Sequence, residues 1–122
     1  MSNFIYIIGG IKMKWLINGG VHTASYLNIE NILDKHISHN DFIMLPNNYG
    51  INGQVEDYCI KKHISYKMYN LNDDTLPYTR LLINLSDKCL FIFSIVEPPS
   101  LNYAYMMALN IKDLDLIVCD FA

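Results

Sequence analysis

The sequence predicts an α/β fold, a three-layer Rossmann-like sandwich with a mainly parallel five-stranded sheet, in one domain over residues 1–122. Three observations carry this. Short apolar runs alternate with longer stretches of helical periodicity. The runs FIML and CLFIF hold no polar residue, as strands covered on both faces do. Turn-forming residues and a helix start follow each run, an order that calls for right-handed crossovers between parallel strands.

Lys14–Asn18 (KWLIN) reads as the first strand, ended by Gly19-Gly20. Ser25 is placed to cap a helix reaching about Ile37, because Ile29, Ile32, Leu33 and Ile37 recur on one face. Phe42–Leu45 is the second strand and Pro46–Gly53 a loop by composition. Gln54–Lys62 is a short helix with Val55, Tyr58 and Cys59 facing inward. Ile64–Tyr69 alternates as a third strand, and Asn70–Thr75 is a polar loop. Thr75 can cap a helix from about Pro77 that carries Leu81, Leu82 and Leu85, since proline is tolerated at the first helical position. Cys89–Phe93 is the most apolar strand. Ser100 then caps a helix over Leu101–Asn110, and Leu116–Cys119 is the last strand. Phe4–Ile8 falls outside this alternation and reads as an added edge strand or half of a hairpin.

Composition narrows the function. A chain of 122 residues suits one domain and can bury a core without staples. With 52% hydrophobic and 17% charged residues, it folds rather than staying disordered, and its surplus apolar surface predicts a homo-oligomer. A net charge of -3 argues against a nucleic-acid polymer as partner, because tracking phosphates takes a basic patch. A small anion remains possible, since a few N–H groups can hold one. Cys59, Cys89 and Cys119 are widely spaced in apolar surroundings, which reads as buried thiols in a cytoplasmic protein rather than a disulfide framework or zinc site. No apolar run reaches the roughly 20 residues that span a bilayer, and the N-terminus has no basic region of a signal peptide. No cofactor is implied.

In an open α/β sheet the ligand lies beyond the carboxyl ends of the strands. This nominates three loops, each leading to a helix start. In the first, Asn18, Gly19, Gly20 and His22 lie just after the first strand, where paired glycines allow a phosphate to approach the backbone or simply make a turn. The spacing is neither G-x-G-x-x-G nor a P-loop. In the second, Asn48, Tyr49, Gly50, Asn52 and Gly53 combine two glycines with amide side chains and a ring able to stack on a base. The alternative is a structural turn with left-handed glycines. In the third, Ser100, Asn102 and Tyr103 open a helix, and Glu97 is the loop's one carboxylate. Arg80, the chain's sole arginine, suits a phosphate or carboxylate clamp, or a surface pair with Asp73 or Asp74. His36-Ile37-Ser38 and His63-Ile64-Ser65 both spell H-x-S, but one falls at a helix end and the other at a strand start. They therefore do not form the twin elements of a two-histidine phosphoesterase. His36 and His39 lack a third metal ligand and read as helix C-terminal histidines.

In order and spacing these residues resemble the SLOG superfamily of Rossmann-like nucleotide-ligand proteins, above all its small DUF2493 (YspA-like) branch. The resemblance runs from about Met13 to Phe121. It rests on the strand and glycine turn Met13–Gly20, the glycine-rich turn Tyr49–Glu56, the helix end and strand Leu85–Phe93, and the serine-led helix Ser100–Leu109. The family's Arg-Asn pair is Arg80-Leu81 here, and the P-G-G-x-G-T-x-x-E motif of its phosphoribohydrolase branch is absent.

The resemblance implies binding of a small nucleotide-derived ligand, such as an ADP-ribose-type or cyclic nucleotide signal, rather than its cleavage. Gly19, Gly20, Gly50 and Gly53 would meet phosphates. Asn18, Asn48, Asn52 and Ser100 would bond ribose or base edges, Tyr49 or Tyr103 would stack, and Arg80 would neutralise charge. A domain with no effector module would sense the signal or sequester it, as a phage anti-defence sponge would. The alternative is a nucleoside N-glycosidase or deoxyribosyltransferase-like enzyme using Glu97, with His22 as acid. The third reading is a scaffold subunit whose sheet edge and tyrosines serve association alone.

Overall fold

The computed structural model describes residues 13–20, 28–70, 76–94 and 114–119, with the backbone alone at 76–79, 93–94 and 114–119. The elements are β1 (Lys14–Gly19), α1 (Ile29–His36), β2 (Phe42–Leu45), α2 (Ile51–Lys62), β3 (Ser65–Met68), α3 (Leu76–Leu85), β4 (Lys88–Ser94) and β5 (Leu114–Cys119). The expected α/β class with a parallel sheet is therefore what the chain forms. The strands lie in the order β3-β2-β1-β4-β5, and every neighbouring pair is parallel. The chain steps outward from β1 to β3, then crosses back past β1 to start β4.

Alternation along each strand divides the core. Trp15, Ile17, Ile43, Leu45, Leu90 and Ile92 form one buried cluster with Ile29 and Leu33 of α1 and Ile51, Val55, Tyr58 and Cys59 of α2. The intervening Leu16, Met44, Cys89 and Phe91 are equally buried but point to the other face. Leu82 and Ile83 of α3 are buried outside the first cluster, and Ser86, just after α3, places its Oγ 3.5 Å from Cys89 Sγ. A right-handed return across β1 puts α3 on this second face. Leu81 and Leu85, carried by the same helix, are about half exposed, so its inward stripe runs through Leu82 and Ile83 instead.

Two helix starts differ from the sequence expectation. α1 begins at Ile29, capped by Asn28, whose side chain accepts from the Asn31 N–H at 3.2 Å. Ser25, the expected cap, lies outside the described residues. α2 begins at Ile51, so Ile51, Asn52 and Gly53 form its first turn rather than the end of a loop. The proposed strand Phe4–Ile8, the caps Thr75 and Ser100 and the helix Leu101–Asn110 lie outside the described residues.

The amino edge of the sheet is pinned by carboxylates. Asp41 Oδ2 accepts from Trp15 Nε1 at 3.1 Å and from the Ser38 N–H at 2.8 Å. Asp87 Oδ2 accepts from the Lys14 N–H at 2.8 Å, and the Asp87 N–H donates to the Lys14 carbonyl at 2.7 Å, which sets where β4 meets β1. His36 sits in the last turn of α1 with Nδ1 2.9 Å from the Ile32 carbonyl, and left-handed His63 caps α2 (φ 57°). Neither H-x-S element therefore lies on a strand beside the other. On the outer surface Lys61 and Lys62 both reach Glu30, and Tyr58 donates to Asp34 at 2.7 Å, which ties α1 to α2.

Two predictions follow from this core. Leu33→Ala, at a fully buried position, should cost about 2–5 kcal/mol, while Leu81→Ala should stay within about 0.5 kcal/mol, both read from urea unfolding. Burial, with Glu56 nearby, pushes the Cys59 thiol from 9.0 up to about 12. Between those values the unfolded chain gives up this proton while the native chain keeps it. The thiol's contribution is thus complete below about pH 9 and is lost as pH rises toward about 12. Urea midpoints should fall across that window, and Cys59→Ala should flatten the decline.

Candidate functional site

Parallel strands place all their carboxyl ends on one edge. The direction of winding reverses between β1 and β4, and such a switch point opens a crevice there. The residues at the end of β1 are Asn18, Gly19 and Gly20, and the neighbouring turn after β2 brings Asn47 through Gly53 beside them.

Asn52 joins these two segments. It is 1% exposed, and its side chain makes three hydrogen bonds. Oδ1 accepts from the Gly19 N–H at 2.9 Å, while Nδ2 donates to Asn18 Oδ1 and to Asn47 Oδ1, each at 3.0 Å. Asn47 Oδ1 also accepts from the Tyr49 N–H at 3.1 Å, closing an Asx turn. Asn47 belongs to this network although the sequence reading left it out. Its signal was the Asn-rich turn itself, in which an Asx residue bonds the N–H two positions on.

The glycines do structural work. A Cβ at Gly19 would run into the Ile51 side chain and lie 3.1 Å from the Ile92 carbonyl oxygen. Gly50, the N-cap of α2, has φ 52° and ψ -122°, a conformation open in practice to glycine alone. A Cβ at Gly53 would lie 2.6 Å from the Asn48 carbonyl oxygen. Their N–H groups are largely engaged as well. The Gly20 N–H donates to the Ile92 carbonyl at 2.9 Å. In the first turn of α2, Ile51 donates to Gly20, Asn52 to Tyr49 and Gly53 to Gly50. The expected cradle of glycine N–H groups for a phosphate is therefore taken up by protein carbonyls and by Asn52, with the Gly50 N–H the exception. The physical reason is close packing of α2 against the end of β1, which brings acceptors to these donors.

The remaining nominated residues fall into two sets. Asn48 and Tyr49 are exposed on the turn, with the Tyr49 ring available to a ligand. Arg80 is exposed on α3, about one helical turn from the end that adjoins this edge, and no carboxylate pairs with it among the described residues. His22, Glu97, Ser100, Asn102 and Tyr103 lie outside the described residues, as do Asp73 and Asp74. Among the described residues no three His, Cys, Asp or Glu side chains are grouped to hold a metal ion, and no helix is long and apolar enough to cross a membrane.

Asn52→Ala would strand the half-buried Gly19 N–H and free two amide oxygens. It should lower stability by about 1–3 kcal/mol in urea unfolding. Gly50→Ala should cost a similar amount through backbone strain, about 1–3 kcal/mol, without removing a side-chain bond. No protein-family model, curated protein or solved structure matches this chain.

Proposed function

We propose that the chain is a Rossmann-like three-layer domain that binds a small nucleotide-derived ligand at the carboxyl edge of its sheet, as a cytoplasmic sensor or sequestering protein. The observation that carries this reading is the strand order β3-β2-β1-β4-β5, whose switch point falls at the Asn18-Gly19-Gly20 end of central β1. Three of the nominated groups suit such a ligand. The exposed Tyr49 ring offers a stacking face, Asn48 offers both donor and acceptor, and Arg80 offers a guanidinium that pairs with no carboxylate among the described residues. The resemblance to the SLOG superfamily points to the same ligand class and to a homo-oligomer.

Heating the purified protein and weighing what it releases by mass spectrometry tests the reading. An intact nucleotide derivative is the expected result. A thermal-shift panel of nucleoside monophosphates, ADP-ribose and cyclic nucleotides complements it. A ligand at 100 times its Kd should stabilise the fold by about 2.7 kcal/mol. An empty protein that no member of the panel stabilises would overturn the proposal.

A further inference from the structure

The carboxyl end of β1 combines two features that together specify what part of a ligand it can take. The first is the scarcity of open backbone donors. The N–H groups of Gly19, Gly20, Tyr49, Ile51, Asn52 and Gly53 all have acceptors within the protein. None of the residues forming this turn, Asn18–Gly20 and Asn47–Gly53, is charged. Among the described residues a phosphate placed here would find few untaken N–H groups and no counter-charge, and burying an ion in that way is costly.

The second feature is Asn18. It is 7% exposed, and its Oδ1 is held by Asn52 Nδ2, which fixes which end of the amide is which. Asn18 Nδ2 then has no partner among the described residues. A neutral donor, oriented from behind and without a partner among the described residues, stands at the switch point of the sheet.

We propose that Asn18 Nδ2 receives an uncharged hydrogen-bond acceptor of the ligand, a sugar hydroxyl or a base carbonyl or ring nitrogen, and that the ligand's phosphate lies away from this glycine turn. This rests on the nucleotide-binding reading above and reverses the orientation that the glycines suggest. Asn52 is the positioning residue, since it sets the amide without facing the ligand.

The test is calorimetry with the four ribonucleosides and their 5′-monophosphates on the wild-type chain and on Asn18→Asp. The substitution keeps the oxygen that accepts from Asn52 and replaces the open donor with an anionic oxygen. Affinity should fall about 10- to 100-fold, and by the same factor for a nucleoside and its monophosphate, because the charge is remote from the change. A loss confined to the monophosphate would place the phosphate on this turn and overturn the inference. So would an unchanged nucleoside affinity. If Asn18→Asp does not fold, wild-type competition decides. Ribose or adenine should displace bound adenosine, identifying sugar or base as the group at Asn18, whereas displacement by inorganic phosphate, or by neither ribose nor adenine, would refute it. Absence of binding by every nucleoside and monophosphate, with no stabilisation by ADP-ribose or cyclic nucleotides, would instead remove the nucleotide-binding reading itself.

Discussion

The end of β1 lies against the first turn of α2 because one buried amide serves both. Asn52 accepts from the Gly19 N–H and donates to Asn18 and Asn47, so a strand end, a turn and a helix start share a single side chain. Aspartate has the acceptor but neither donor. Glutamine has both, on a stem one methylene longer in a site that is 1% exposed. Each such bond contributes about 1 kcal/mol net, but losing one strands a buried partner at about 1–3 kcal/mol, so the network constrains the turn more than it stabilises it. Gly19 follows from the same contact, since the helix that carries Asn52 also brings the Ile51 side chain onto the Gly19 Cα.

This explains which parts of the molecule could be read from the sequence. β2 was legible to the residue, because a strand buried on both faces has no polar position and FIML has none. β1 and β4 were legible to within a residue at each end from their apolar centres, WLI and CLFIF. The start of α2 was not. Asn52 and Gly53 have loop-forming preferences, and the sequence does not show that a distant strand end supplies an acceptor for the Ile51 N–H and a use for the Asn52 amide. The α1 cap failed differently: Ser25 and Asn28 are both good caps, and the helix starts at the second. In α3, Leu81, Leu82 and Leu85 looked equivalent, yet only Leu82 faces the sheet.

The arrangement of the candidate site was half legible. Its location followed from a rule about strand ends that needs only the parallel order, and the nominated Asn18, Gly19, Gly20, Asn52 and Gly53 do come together there. The roles were harder to read. A glycine pair at a strand end looks the same in sequence whether it admits a phosphate or a helix. The acceptor of the Gly20 N–H is Ile92, on a strand far along the chain, so no local pattern could have shown that this donor was taken.

The two edges of the sheet divide the chemistry accordingly. At the amino edge, Asp41 and Asp87 hold strands together through N–H donors, an arrangement that serves the fold. At the carboxyl edge the buried polar side chains among the described residues are neutral amides, and Asn18 Nδ2 has no partner among them. Such an edge discriminates by the position of acceptors rather than by charge, and the chain's net charge of -3 gives an anion no long-range attraction toward it. On the proposed nucleotide-binding reading, affinity at β1 would come from the uncharged part of the ligand. A phosphate on that ligand would find its counter-charge on a separate element, and among the nominated residues Arg80 of α3 is the one with a permanent cation.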